Sequence, residues 1–185
     1  MSTHEISTMK RATLPGRIAA LWGVAGVVLL CTSAIVRLAP LAWEPIRTGE
    51  LLWWHGLLYA LSVVLMAYSE GYKGFQKAFA PRVVSRAAHL ARDPRLLHAL
   101  LAPFFCMALF HAPRRRKIVS WSITTGVILL IVLVRLTPQP WRGIIDAGVV
   151  VGLGWGVAAI LAFALRTLMG APPPAAPELP EPAAG

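Results

Sequence analysis

Charge is scarce in this sequence, and acid is scarcer still. Only 14% of the 185 residues are charged, against about 25% in a soluble domain, while 57% are hydrophobic and the mean hydropathy is +0.64. Such a chain has too few ions to dress a water-facing globule, so lipid is the solvent it suits. Cysteine is nearly missing as well. Cys31 and Cys106 both fall in apolar segments, where a thiol behaves as a small hydrophobe, and no C-x-x-C spacing suggests a metal site or a disulfide framework. The apolar runs are continuous and do not alternate residue by residue, which argues against a closed β-barrel. No G-x-S-x-G, H-E-x-x-H, Walker or dinucleotide-binding glycine pattern occurs. Ser, His and acidic residues are present without informative spacing, so no catalytic residue is assigned.

What the chain does have is base: 18 Lys and Arg against 8 Asp and Glu, a net charge of +10 and a pI near 10.8. In a membrane protein the placement of these charges decides their meaning. No nucleic-acid-binding module accompanies them, so the expected partner is a bilayer with anionic headgroups and not nucleic acid.

Four runs read as membrane spans: residues 18–36, 51–69, 118–134 and 143–165. Lys10, Arg11 and Arg17 precede the first, but no small-x-small cleavage site follows it, so it reads as an uncleaved anchor. Trp53, Trp54, Tyr68 and Tyr72 flank the second in the manner of aromatic belts. The last carries Gly148, Gly152 and Gly156 at four-residue spacing, a smooth face for a neighbouring helix.

Two of the runs close on one pattern, Val36-Arg37-Leu38-Ala39-Pro40 with Trp43, and Val134-Arg135-Leu136-Thr137-Pro138 with Trp141. Each arginine can snorkel to headgroups, each tryptophan can anchor at the interface, and each proline can stop its helix. Repeated exits and repeated basic flanks suggest two helical hairpins, 18–69 and 118–166, in one orientation. Such a repeat can also arise by chance at two unrelated exits.

Between them lies a basic connector, 70–117. Pro81 to Arg92 within it has the pattern of an amphipathic helix, with Arg82, Arg86 and His89 on one face and Val83, Ala87 and Leu90 on the adjoining one. Such a helix can lie on the membrane with its cations over headgroups. Residues 96–110 are apolar but short, broken by Pro103, and bounded by Arg95 and by Arg114, Arg115, Arg116 and Lys117. Basic flanks on both sides favour a re-entrant or interfacial segment, with a five-span chain as the alternative.

The fold expected is therefore an all-α integral membrane protein of four spans. Its N-terminal segment 1–17 and its Pro/Ala-rich tail 167–185, read as disordered, are both cytoplasmic, and the membrane is a bacterial inner membrane.

Candidate functional residues are those where a polar group enters or borders the apolar phase. Glu70 lies in the polar and aromatic stretch containing Tyr72, Lys73 and Gln76. It is either a proton-handling or substrate-positioning acid, or a partner of Lys73 at a helix end where Gly71 and Gly74 supply a turn; the pairing is the simpler reading. Asp146 stands four residues after Arg142, which can neutralise it. His55, His98 and His111 raise the question of haem, but His55 belongs near the opposite end of its helix from the other two. No cofactor or metal is therefore expected.

The function expected is non-enzymatic, the organisation or assembly of a membrane complex through other membrane proteins or self-association. A small oligomeric transporter or channel is the alternative, and a membrane redox or lipid-headgroup enzyme comes last.

Overall fold

In the computed structural model, which describes residues 12–49 and 51–180, the chain is helical from Leu14 to Leu168 apart from short turns. It forms α1 (Leu14–Thr48), α2 (Trp53–Met66), a π-helical stretch (Ala67–Phe79) and α3 (Ala80–Arg92). The five-residue helices α4 (Leu96–Leu100) and α5 (Ala102–Cys106), then α6 (Arg114–Arg135) and α7 (Trp141–Leu168), complete it. No strand occurs among the described residues. Three helices, α1, α6 and α7, are long and apolar enough to cross a membrane, as befits a multi-pass membrane protein. Lys10, Arg11 and Glu50 lie outside the described residues.

Thr13 caps α1, its hydroxyl accepting from the Gly16 amide at 3.2 Å, and Gly49 ends the helix in a left-handed conformation with φ 72°. Pro40 does not stop α1, contrary to the sequence expectation. The helix also continues through Pro45, which would leave the Leu41 carbonyl without its usual donor. Gln139 fills that role, its side-chain amide donating to Leu41 O at 3.2 Å and to Glu44 Oε2 at 3.0 Å. The second copy of the pattern behaves differently. α6 ends at Arg135, and Pro138 and Pro140 lie in the turn before α7. The two copies share letters and not conformation.

The expected hairpins do not pack as hairpins. α7 is the central helix: it lies against α1 on one side and against α2 and the π stretch on the other, antiparallel to the first and parallel to the second. Its glycine face sets the spacing. A Cβ at Gly148 would come within 2.6 Å of Ser62 Oγ, one at Gly152 within 3.1 Å of Glu70 Cβ, and one at Gly156 would strike the Phe75 ring. At the tryptophan-rich end Gly143 packs on Pro45, and the Tyr59 hydroxyl donates to Ala42 O at 2.5 Å. α6, by contrast, buries Val134 alone.

The opposite end, rich in base, is closed by α3, α4 and α5. α3 is not a surface helix. Val83, Ala87 and Leu90 are buried together with Ala19 and Val27 of α1, Phe105 and Cys106 of α5, and Ile160 of α7. Residues 96–110 form neither one helix nor a span. α4 and α5 are too short to cross a bilayer, and Pro103 and Cys106 press onto Gly26 and Gly23 of α1. Two non-glycine residues with positive φ, Ala108 (58°) and His111 (49°), turn the chain back toward α6.

The tail departs most from expectation. Ala171 to Pro180 runs without helix or strand along α3, and Leu179 packs against the core. Its prolines lack amide hydrogens but keep their carbonyls, and a buried cation, Arg86, collects two carbonyls of this segment.

Candidate functional site

Polar residues gather at three places. The first is the tryptophan-rich end. His55 is buried and caps α2: its Nδ1 accepts from the Leu52 amide at 3.1 Å, so the neutral ring carries its proton on Nε2. Its ring lies 5.8 Å from that of Trp141, edge-on, and 3.6 Å from that of Trp54. Asp146 is 2% exposed and faces Arg142 Nε at 3.5 Å, the i, i+4 pair that the spacing suggests. Trp43, Trp141, Arg37 and Arg135 are exposed around this end, free to meet interface or lipid.

The second is the π-helical stretch. Gly71 and Gly74 make no turn, and the backbone passes from α2 through this stretch into α3 without a break. Nor does the stretch lie beyond the end of the bundle. Glu70 stands beside Gly152, Gly71 beside Trp155 and Phe75 beside Gly156, all near the middle of α7. Glu70, Lys73 and Lys77 are exposed there, and Glu70 has no ion pair among the described residues. The wide helical turn brings residues five apart together. Lys73 lies 4.7 Å over the Tyr68 ring, Lys77 lies 4.5 Å over the Tyr72 ring, and the two tyrosines stack at 6.0 Å. Gln76 Oε1 accepts from the Trp155 indole at 2.7 Å. The twice-repeated Tyr-x-x-x-x-Lys spacing was the available sequence signal for this geometry.

The third is the basic end, built on Arg86. This arginine is 1% exposed, which removes it from the headgroup-facing set. All its nitrogens donate to backbone carbonyls: Nε to Phe105 at 2.6 Å, Nη1 to Pro177 at 2.9 Å and Glu178 at 3.1 Å, and Nη2 to Phe110 at 3.2 Å and His111 at 3.0 Å. The guanidinium also sits 4.2 Å over the Phe105 ring. One side chain thus ties α3, the turn before α6 and the tail. Burial lowers its pKa to about 10, opposed by the carboxylate of Glu178, and it stays charged at neutral pH.

Three histidines surround the same aromatic ring. His98 stacks on Phe105 at 4.8 Å, His111 lies 4.4 Å from His98, and His89 stacks at 6.5 Å. Burial first, and then neighbouring cations, lower all three below the ordinary histidine pKa. His55 is at the other end of the molecule, so it shares no site with them. No group of three or more potential metal ligands occurs among the described residues. Burial pushes the Cys106 thiol up to about 12, leaving it inert.

Of the connector cations, Arg114, Arg115 and Lys117 are exposed, and Arg82 is half-buried. Arg116 instead grips Glu178, its Nη2 lying 2.9 Å from Oε1 and its Nε meeting Oε2. No periodicity in the sequence joins Arg116 or Arg86 to residues of the tail, so these contacts were invisible there.

Comparison of the chain with protein-family models, with curated proteins and with solved structures returns no match. Its class therefore rests on its own architecture, an all-helical chain with three helices able to cross a membrane.

Proposed function

We infer that the protein is a non-enzymatic multi-pass membrane protein that organises or assists the assembly of a larger membrane complex. It meets its partner through the face bearing Glu70, Lys73 and Lys77. One observation carries this reading: Glu70, exposed and without an ion pair among the described residues, stands beside Gly152 near the middle of an apolar helix, and the exposed Lys73 and Lys77 follow it on the same stretch. On an insertion scale a charge near a helix centre costs about 2.5 to 3.5 kcal/mol when it faces lipid. The tyrosine rings shield the ammonium groups only on one side, and a partner with complementary charge would relieve the rest.

The topology that goes with this reading has four spans, α1, α2 continued through the π stretch, α6 and α7, and both termini in the cytoplasm. The membrane is a bacterial inner membrane, and residues 96–110 re-enter from the cytoplasmic side. The cations at one end support the orientation, and the seating of α5 against Gly23 and Gly26 supports the re-entrant segment. Arg114, Arg115 and Lys117 are then free for anionic headgroups.

A second reading, an oligomeric transporter, draws on an open groove of about 610 Å³ beside the same strip, with Gln76 and Arg166 as polar lining and Gly154, Ala158 and Ala162 as its smooth floor.

A photo-crosslinking side chain at position 73, with one at 130 on α6 as control, separates the readings in native membranes. A stoichiometric heteromeric adduct at 73, lost when Glu70→Lys and Lys77→Glu are added, is the expected outcome. Adducts to a second copy alone favour the transporter, and lipid-only labelling at both positions removes the assembly reading.

A further inference from the structure

The tail gives Arg116 its ion-pair partner, yet the charges around that pair do not balance. Arg116 pairs with the Glu178 carboxylate, and Arg82 and Arg86 lie near enough to feel its charge. Arg86 spends its donors on backbone carbonyls and contributes only its field. Arg116 presents a planar fork to Glu178, Nη2 donating a hydrogen bond to Oε1 while Nε meets Oε2 in an ion-pair contact that is not a hydrogen bond, and Arg82 stands by without a hydrogen bond among the described residues. Among the described residues three cations share one anion, an excess of positive charge in a place only partly open, the paired side chains being 24% and 35% exposed.

A guanidinium fork accepts a phosphate in the same two-pronged manner as a carboxylate, and a phosphate brings further oxygens for a second arginine. The occupant, meanwhile, is held at a cost. Glu178 has φ 47°, a left-handed conformation uncommon for a side-chain-bearing residue and a source of backbone strain. The segment carrying it has no helix or strand of its own and is retained by the Arg86 bonds, the Arg116 pair and a 3.0 Å bond from the Ala175 amide to Ser85 Oγ. The Glu178 side chain can leave while those other bonds keep the strap in place.

We propose that Arg82 and Arg116 form a phosphate-ester site in which the Glu178 carboxylate is a displaceable stand-in, so that the C-terminal strap competes with the ligand for the site. The chemistry fits a phospholipid headgroup and a soluble phosphate alike. The site stands whether or not the strip at Glu70 binds a partner protein.

The test uses the full chain in detergent micelles and titrates two probes, inorganic phosphate and dihexanoyl phosphatidylglycerol, by calorimetry. Glu178→Gln should tighten binding roughly tenfold, the worth of one charge-assisted hydrogen bond removed from the competitor. Arg116→Ala added to Glu178→Gln should cancel that gain, and Arg82→Gln should reduce it. Glu178→Asp, which keeps the competing charge, should bind like the wild type. Tight lipid binding with weak phosphate binding identifies a headgroup as ligand; equal binding identifies a soluble phosphate ester. An affinity unchanged in Glu178→Gln for both probes, or a gain that survives Arg116→Ala in a protein of unaltered helical content, overturns the proposal.

Discussion

α6 and α7 follow one another through a short turn and are both apolar enough to cross a membrane, yet one lies at the centre of the fold and the other at its margin. α7 buries Gly143, Gly148, Gly152, Gly156 and the residues between them that face α1 and α2. α6 buries Val134, and its single glycine, Gly126, has open space where a side chain would be. Hydropathy is shared and cannot account for the difference. In lipid an apolar side chain gains little by leaving one hydrocarbon surface for another, so close backbone approach decides which helices pack. α7 carries its small residues along one face over several turns, and α6 has only Ser122 and Gly126 at that spacing.

Reversing that asymmetry gives the largest effect expected. In Gly148→Leu/Gly156→Leu the new side chains meet Ser62, Met66 and Phe75. Overpacking typically costs about 1 to 3 kcal/mol per site, and the two sites lie far enough apart to add, for a loss of roughly 2 to 6 kcal/mol. Denaturation in mixed micelles followed by circular dichroism measures it. Gly126→Leu on α6 should change the same midpoint little; a loss there equal to that on α7 would mean that α6 packs as tightly as α7 does.

The same comparison explains what was legible in the sequence. Helical class and the apolar runs that became α1, α6 and α7 follow from composition and periodicity, which are local. So does the glycine face of α7. Three features depended on residues far away. α1 runs on past Pro40 and Pro45, with Gln139, 98 positions away, satisfying the Leu41 carbonyl. The amphipathic pattern of its helix points Arg86 at headgroups, but the carbonyls that bury it come from residues 105, 110 and 111 and from the tail at 177 and 178. Polar residues usually end a span, so composition alone puts the strip from Glu70 to Lys77 at a boundary, whereas packing against Gly152 and Gly156 draws it alongside α7. At the candidate sites, residue types were readable and partners were not.

The middle effect concerns how α6 is tied to the body. Its start is held by the turn at 107–112, where the Trp121 indole donates to Leu109 O at 3.0 Å, and Arg86 fixes that turn through the Phe110 and His111 carbonyls. Arg86→Met keeps bulk but leaves buried carbonyls without donors, a loss of about 3 kcal/mol. Hydrogen exchange should rise at 105–112 and along the tail while the α2–α7 contact stays protected. Exchange rising equally at the glycine face would show that the turn and the α7 core unfold as one unit.

The smallest effect is one of pH, confined to the same turn. His89, His98 and His111 surround Phe105, and Arg86, Arg92, Arg95 and Lys117 oppose a further positive charge there, while Asp93 beside His89 acts the other way. Because the folded pKa values are lowered from 6.5, the unfolded chain takes up protons first as pH falls. The stabilisation from the neutral rings is therefore complete above pH 6.5 and is lost as pH falls below it toward the folded values. Thermal unfolding at pH 7.5 and pH 5.5 should show a lower midpoint in acid, with tryptophan emission from Trp121 shifting before helical content falls. His98→Phe should preserve the stack on Phe105 and reduce the pH dependence. A midpoint that rises in acid, or a pH dependence undiminished in His98→Phe, would place the responsible group outside this cluster and leave the attachment of α6 independent of proton uptake.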